Sequence, residues 1–172
     1  MRHLVGAIIV ALTAAPLQAQ ETSLEYQVKA AYLYNFVKFI EWPAAARRGT
    51  LTICIAGGNP FGGALDDIVR GESINGRAIA ARAIGGPQPG CDVVFVPRGV
   101  TAADYLRAAR TAPVLTVGES PDFVTQGGII NFVRDAGTIR FEIDRDAAAR
   151  AGLHISSRLL RLAREPERTG RR

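Results

Sequence analysis

Between Tyr26 and Pro43 the chain carries six aromatic side chains, Tyr26, Tyr32, Tyr34, Phe36, Phe39 and Trp42, and then a proline. Tyr26, Ala30, Leu33, Val37 and Ile40 recur at steps of three and four and form one apolar stripe, and Tyr32, Phe36 and Phe39 form a second. The spacing predicts a helix from Ser23 to about Glu41 that is apolar around most of its circumference, so it must lie deep in a core or be shared with a partner. Thr22-Ser23-Leu24-Glu25 has the form of a capping box, with Thr22 as cap and Glu25 reaching back. Pro43 ends the helix, because the residue before proline is pushed out of the helical region.

The residues before this helix read as an export leader. Arg2 and His3 are a short basic start, Leu4 to Ala15 is apolar, and Leu17-Gln18-Ala19 ends in the small residue that a signal peptidase requires. The apolar run falls short of the roughly 20 residues that span a bilayer, so the reading is cleavage after Ala19, with a retained anchor as the alternative. This gives a leader over residues 1–19, one domain over 20–163 and a basic tail over 164–172. The formal charge of +5 is inflated by that tail, which holds Arg164, Arg168, Arg171 and Arg172 against two glutamates. A near-neutral exported domain is a poor nucleic-acid binder. The tail reads as a solvated segment, with contact to anionic lipid head groups as the alternative.

The remaining chain alternates apolar strands with short helices. Leu51 to Ile55, Asp92 to Val96 and Val114 to Val117 read as buried strands, and Arg77 to Ile84 as a further strand. Ala64 to Arg70 and Ala102 to Arg110 read as helices, and Gly85 to Gly90 as a turn. The pattern predicts an α/β fold in a single domain, a mostly parallel sheet with helices on both faces. The end differs: Ile129–Val133 and Ile139–Ile143, joined through Gly137, predict a C-terminal β-hairpin with Arg140 and Glu142 on an exposed face. Ala147 to Ala151 and Leu153 to Ala163 are expected to be helical.

Catalytic chemistry is sparse. Gly57-Gly58-Asn59-Pro60-Phe61-Gly62-Gly63 lies between a strand and a helix, where phosphate loops sit. Asn59 occupies the middle glycine of the dinucleotide fingerprint, and Gly63-Ala64 stand where a Walker loop needs Lys and Ser/Thr. The loop reads as a tight turn, with a ligand site at Gly58 and Asn59 as the alternative. His154 has Ser156 and Ser157 beside it but no nucleophile elbow, so it reads as structural, and Asp66-Asp67 as a solvated face. Cofactors and metals are not expected: His154 is the only histidine after the leader, and no Cys-x-x-Cys occurs. Cys54 and Cys91 are the two cysteines. Export favours their pairing, and two buried thiols are the alternative.

Three stretches together resemble the YfiR-like family of small periplasmic regulators. They are Lys29 to Pro43; Gly127-Gly128-Ile129-Ile130-Asn131-Phe132 with Arg140-Phe141-Glu142-Ile143; and Ala151-Gly152-Leu153 with Ile155 to Ala163. The loop from Gly57 to Gly62 and the two cysteines fit as well, Cys54 and Cys91 falling where the family often carries a bridge. The resemblance implies a non-enzymatic protein that binds the periplasmic sensor region of an inner-membrane diguanylate cyclase and represses it, lowering cyclic di-GMP and so controlling biofilm formation. It also implies an outer-membrane lipoprotein as a second partner and a homodimer. One Cys pair is present where the family's best-known member has two, so redox control through a second bridge is not implied here. Apolar surface beyond one buried stripe places the partner contact at Phe36, Phe39, Trp42, Phe132 and Ile155, with core packing as the competing role for Phe132. A small-molecule sensor with its ligand near Gly58 and Asn59, and a hydrolase using His154, are the other readings.

Overall fold

The computed structural model describes residues 17–165, with side chains from Ser23 onward. In chain order it holds helix α1 (Leu17–Lys38), strand β1 (Ile40–Glu41), a 3-10 turn (Ala44–Ala46), β2 (Leu51–Ala56), α2 (Ala64–Val69), β3 (Ser73–Ile74), β4 (Arg77–Ile84) and β5 (Val93–Val96). It continues with α3 (Ala103–Ala109), β6 (Leu115–Gly118), β7 (Ile130–Asp135), β8 (Thr138–Ile143), α4 (Arg145–Arg150), β9 (His154–Ile155) and α5 (Ser157–Leu162).

Seven strands form one sheet in the order β3-β4-β2-β5-β6-β7-β8. The run from β4 to β7 is parallel, and the outer pairs β3–β4 and β7–β8 are antiparallel. This is the expected α/β architecture with its C-terminal hairpin. Side-chain alternation sends Ile53, Ile55, Phe95, Val117, Ile130 and Phe132 to one face, where they join Leu33, Phe36 and Val37 of α1 and Leu65 of α2 in the larger core. Cys54, Ala56, Val94 and Val96 point to the other face and pack against Tyr105 and Leu106 of α3 and against Phe123. Parallel strands buried on both faces explain why β2, β5 and β6 read as unbroken apolar runs.

Several boundaries differ from the sequence reading. Helix α1 begins at Leu17, so Thr22 is not its cap, and Glu25 bonds to Lys29 and Arg134 instead of reaching back. The helix stops at Lys38, and Ile40 and Glu41 are extended, because they pair antiparallel with Ile155 and His154. That pairing also splits the expected helix from Leu153 to Ala163. Ser156 caps α5 by accepting a bond from the Leu159 N–H at 3.2 Å. Glu142, expected on an exposed face, is buried. The backbone of Arg164 docks on β8, its N–H donating to Phe141 O at 2.8 Å, and covers that side. The rest of the tail, and the leader before Leu17, lie outside the described residues.

Candidate functional site

In a doubly wound sheet, ligands bind beyond the carboxyl ends of the strands where the strand order reverses. Here that point lies between β2 and β5, since β4 lies on the far side of β2. The loop after β2 begins at Gly57, whose φ is 71° and whose Cβ, were there one, would press on Val100 at 3.1 Å. Asn59 turns its side chain inward: its carbonyl accepts from the Phe61 N–H at 2.9 Å and its amide donates to Gly62 O at 3.0 Å. Both polar ends of Asn59 are thus engaged by its own loop. Phe61 is buried, with its ring centroid 5.0 Å from that of Phe95.

The crevice is closed by α1. Tyr26 sets its ring edge-on to Phe61 at 5.5 Å and donates its hydroxyl proton to Glu119 Oε1 at 2.6 Å. The same oxygen accepts from the Arg98 N–H at 2.6 Å. The Lys29 ammonium donates to Glu119 Oε2 and to Glu25 Oε1, and lies 4.7 Å from the Tyr26 ring centroid and 5.8 Å from that of Phe132. Arg134 on β7 donates to the other Glu25 oxygen. A buried lysine is tolerated only when its charge is compensated and its donors are satisfied, and this cage does both. Burial, and then the bond and charge of Glu119, push the Tyr26 hydroxyl well above its usual pKa. Burial pulls Glu25 upward, but bonds and charges from Lys29 and Arg134 prevail and hold it below its ordinary value. Every charge in the cluster faces an opposite charge.

The residues expected at a partner surface divide sharply. Phe36 is 0% exposed, Phe132 4%, Trp42 6% and Ile155 7%. Phe36 and Phe132 stack with centroids 5.6 Å apart, and Phe141 closes edge-on to Phe36 at 4.9 Å. These four side chains are buried in the larger core, where α1 turns Phe36 onto the rings of Phe132 and Phe141. Phe39 is half-buried beneath the guanidinium of Arg158, 5.5 Å from its ring centroid. Leu24 and Val28 are exposed on the outer side of α1, and Leu162 on α5. His154 is exposed on β9, and Ser156 is committed as a helix cap. Sequence reasoning missed Lys29, Glu119 and Arg98. A lysine on the apolar flank of a helix was the available signal.

Cys54 and Cys91 are joined by a disulfide, with Cα atoms 5.7 Å apart. It ties β2 to the start of β5 on the α3 face. Beside it runs a groove of about 580 Å³ lined by Pro87, Pro89, Cys91, Tyr105, Ala109 and Val114.

The mostly parallel seven-stranded sheet with its flanking helices and C-terminal hairpin defines a single domain of the α/β class, and among the described residues no helix is long and apolar enough to cross a membrane. The family model described as YfiR/HmsC-like matches residues 26–164, and the chain belongs to that family. Its members are periplasmic regulators, not enzymes, linked to diguanylate cyclase signalling.

Proposed function

We propose that the protein is exported, loses its leader after Ala19, and represses an inner-membrane diguanylate cyclase by binding its periplasmic sensor region. The observation that carries this reading is the family match over residues 26–164, on a fold whose ligand crevice is closed from within. The contact uses what α1 leaves outside: Leu24, Val28 and the Phe39–Arg158 pair. An outer-membrane lipoprotein is the second partner of this scheme and competes for the repressor. Deleting the gene should raise cyclic di-GMP and biofilm formation, and restoring it should reverse both. The tagged protein should capture a membrane cyclase from the periplasmic side. Unchanged cyclic di-GMP in the deletion strain, with no cyclase captured, rejects the reading.

The groove beside the disulfide favours a second reading, a small-molecule sensor. Its volume falls within the roughly 300–1,000 Å³ of ligand pockets, and its lining is mostly apolar, the Tyr105 ring included, with Arg77, Gln88 and Asp92 also on its walls. This moves a ligand from Gly58 and Asn59 to the opposite face. A periplasmic metabolite panel in a thermal-shift assay, repeated on Tyr105→Ala, tests it: no stabilised hit, or hits unaffected by the substitution, removes it.

A further inference from the structure

A second pocket, of about 310 Å³, lies where the last turn of α3 meets the starts of β6 and β7 and the end of α4. It is near the lower end of the roughly 300–1,000 Å³ of ligand pockets, so its occupant is small. Leu106, Val114 and Ile129 give it hydrocarbon walls, and Arg110 and Arg150 bring two guanidinium groups to the same lining. Among the described residues no aspartate or glutamate lines it.

The polar groups of this lining are underused by the protein itself. Thr116 is 2% exposed, on a strand that is otherwise apolar. Its hydroxyl oxygen accepts from the Ile129 N–H at 3.0 Å, and among the described residues nothing accepts its own proton. Among the same residues the Arg110 guanidinium has neither an acid nor another acceptor. The Arg150 guanidinium reaches Asp144 Oδ2 only at 4.0 Å, and the other oxygen of that carboxylate caps α4 by accepting from the Ala147 N–H at 2.9 Å. A cation near a helix C-terminus ordinarily answers the free carbonyls there. Here those carbonyls are already engaged. Ala109 O accepts from the Ala112 N–H at 3.1 Å, Ala147 O from the Ala151 N–H at 3.1 Å and Ala149 O from the Gly152 N–H at 3.0 Å.

We propose that this pocket binds a small organic acid, a carboxylate carrying a short hydrocarbon chain. Two guanidinium groups with no acid in the lining make the site selective for an anion, and their planar forks match a carboxylate. The Thr116 hydroxyl and the Gln126 amide, also on the lining, supply further donors. The hydrocarbon walls select against a bare inorganic anion, which would leave Leu106, Val114 and Ile129 wet. The bound acid ties α3 and α4 to the segment that enters β7. The site is separate from the groove beside the disulfide and depends on neither reading of the protein's function.

Isothermal titration calorimetry of the purified chain with sodium valerate tests this. Saturable binding of a single molecule per chain is expected. Arg110→Gln and Arg150→Gln should each weaken it by about tenfold, the worth of a charge-assisted hydrogen bond. Both side chains are exposed, so the circular-dichroism spectrum should not change. Valeramide, which has the same chain without the charge, and inorganic phosphate, which has charge without a chain, should each bind at least about tenfold more weakly to the unaltered protein. These two comparisons stand even if an arginine variant fails to fold. Absence of saturable valerate binding, binding indifferent to both arginine substitutions, or equal binding of valeramide or phosphate overturns the proposal.

Discussion

Lys29 on α1 and Glu119 after β6 stand 90 residues apart in the chain, yet they form an ion pair in which each side chain is 1% exposed. The pair fastens the first helix over the strand ends. Breaking a buried pair by removing one member costs roughly 3–5 kcal/mol, because the other charge is left uncompensated. Lys29→Met should therefore lower unfolding stability in urea by about that amount. Glu119→Gln added to Lys29→Met should restore part of the loss. A double variant no more stable than Lys29→Met would show that the pair is not an isolated unit.

Glu25 makes the clamp sensitive to acid. Its carboxyl is held below its usual 4.5 in the folded protein, so its contribution is full above that unfolded value and disappears as the pH falls through the lower folded one. The protein should lose more stability between about pH 5 and pH 3 than Glu25→Gln does. Parallel urea titrations at several pH values check this, and equal slopes would remove Glu25 from the account.

Phe132 and Phe39 separate core from surface. Phe132→Asp buries a carboxylate among Phe36, Phe95 and Phe141 and should abolish cooperative folding. Phe39→Asp changes a half-buried ring under Arg158 and should keep the circular-dichroism spectrum, while weakening cyclase capture at least tenfold. A folded Phe132→Asp protein that fails only in binding would reinstate that residue at the interface.

The disulfide closes a separation of 37 residues. The chain-entropy relation assigns such a loop about 4 kcal/mol. Cys54→Ala with Cys91→Ala should lower stability by an amount of that order, and a reducing agent should destabilise only the unaltered protein. Its chemical-denaturation midpoint with and without reductant is the measurement.

The hairpin turn holds a local opportunity. Asp135 pairs with Thr138, so Ala136 and Gly137 alone make the turn, at φ of 46° and 79°. An alanine with positive φ carries a cost of roughly 1–2 kcal/mol, and asparagine tolerates this region better. Ala136→Asn should raise the melting temperature by a few degrees.

What could be read in advance follows from range. The strand–helix alternation, the hairpin and the core stripe of α1 depend on periodicities within one element, and these appear in the final fold. The Asn75-Gly76 turn, at φ of 52° and 77°, is a local hairpin signal of the same kind and joins β3 to β4. Glycines 118 and 128 show the other case. A Cβ on either would overlap the Phe123 ring, a demand invisible until Phe123 is known to lie between them.

The amino-acid order alone determined the α/β class, the C-terminal hairpin and the family, since each rests on runs of residues adjacent in the chain. Only the folded chain decided which aromatic rings point inward, and that Lys29 has Glu119 as its counter-ion. Those outcomes depend on groups tens of residues apart meeting in a low-dielectric interior, where an uncompensated charge or an unpaired backbone group costs several kcal/mol, and no local pattern records which partner will arrive.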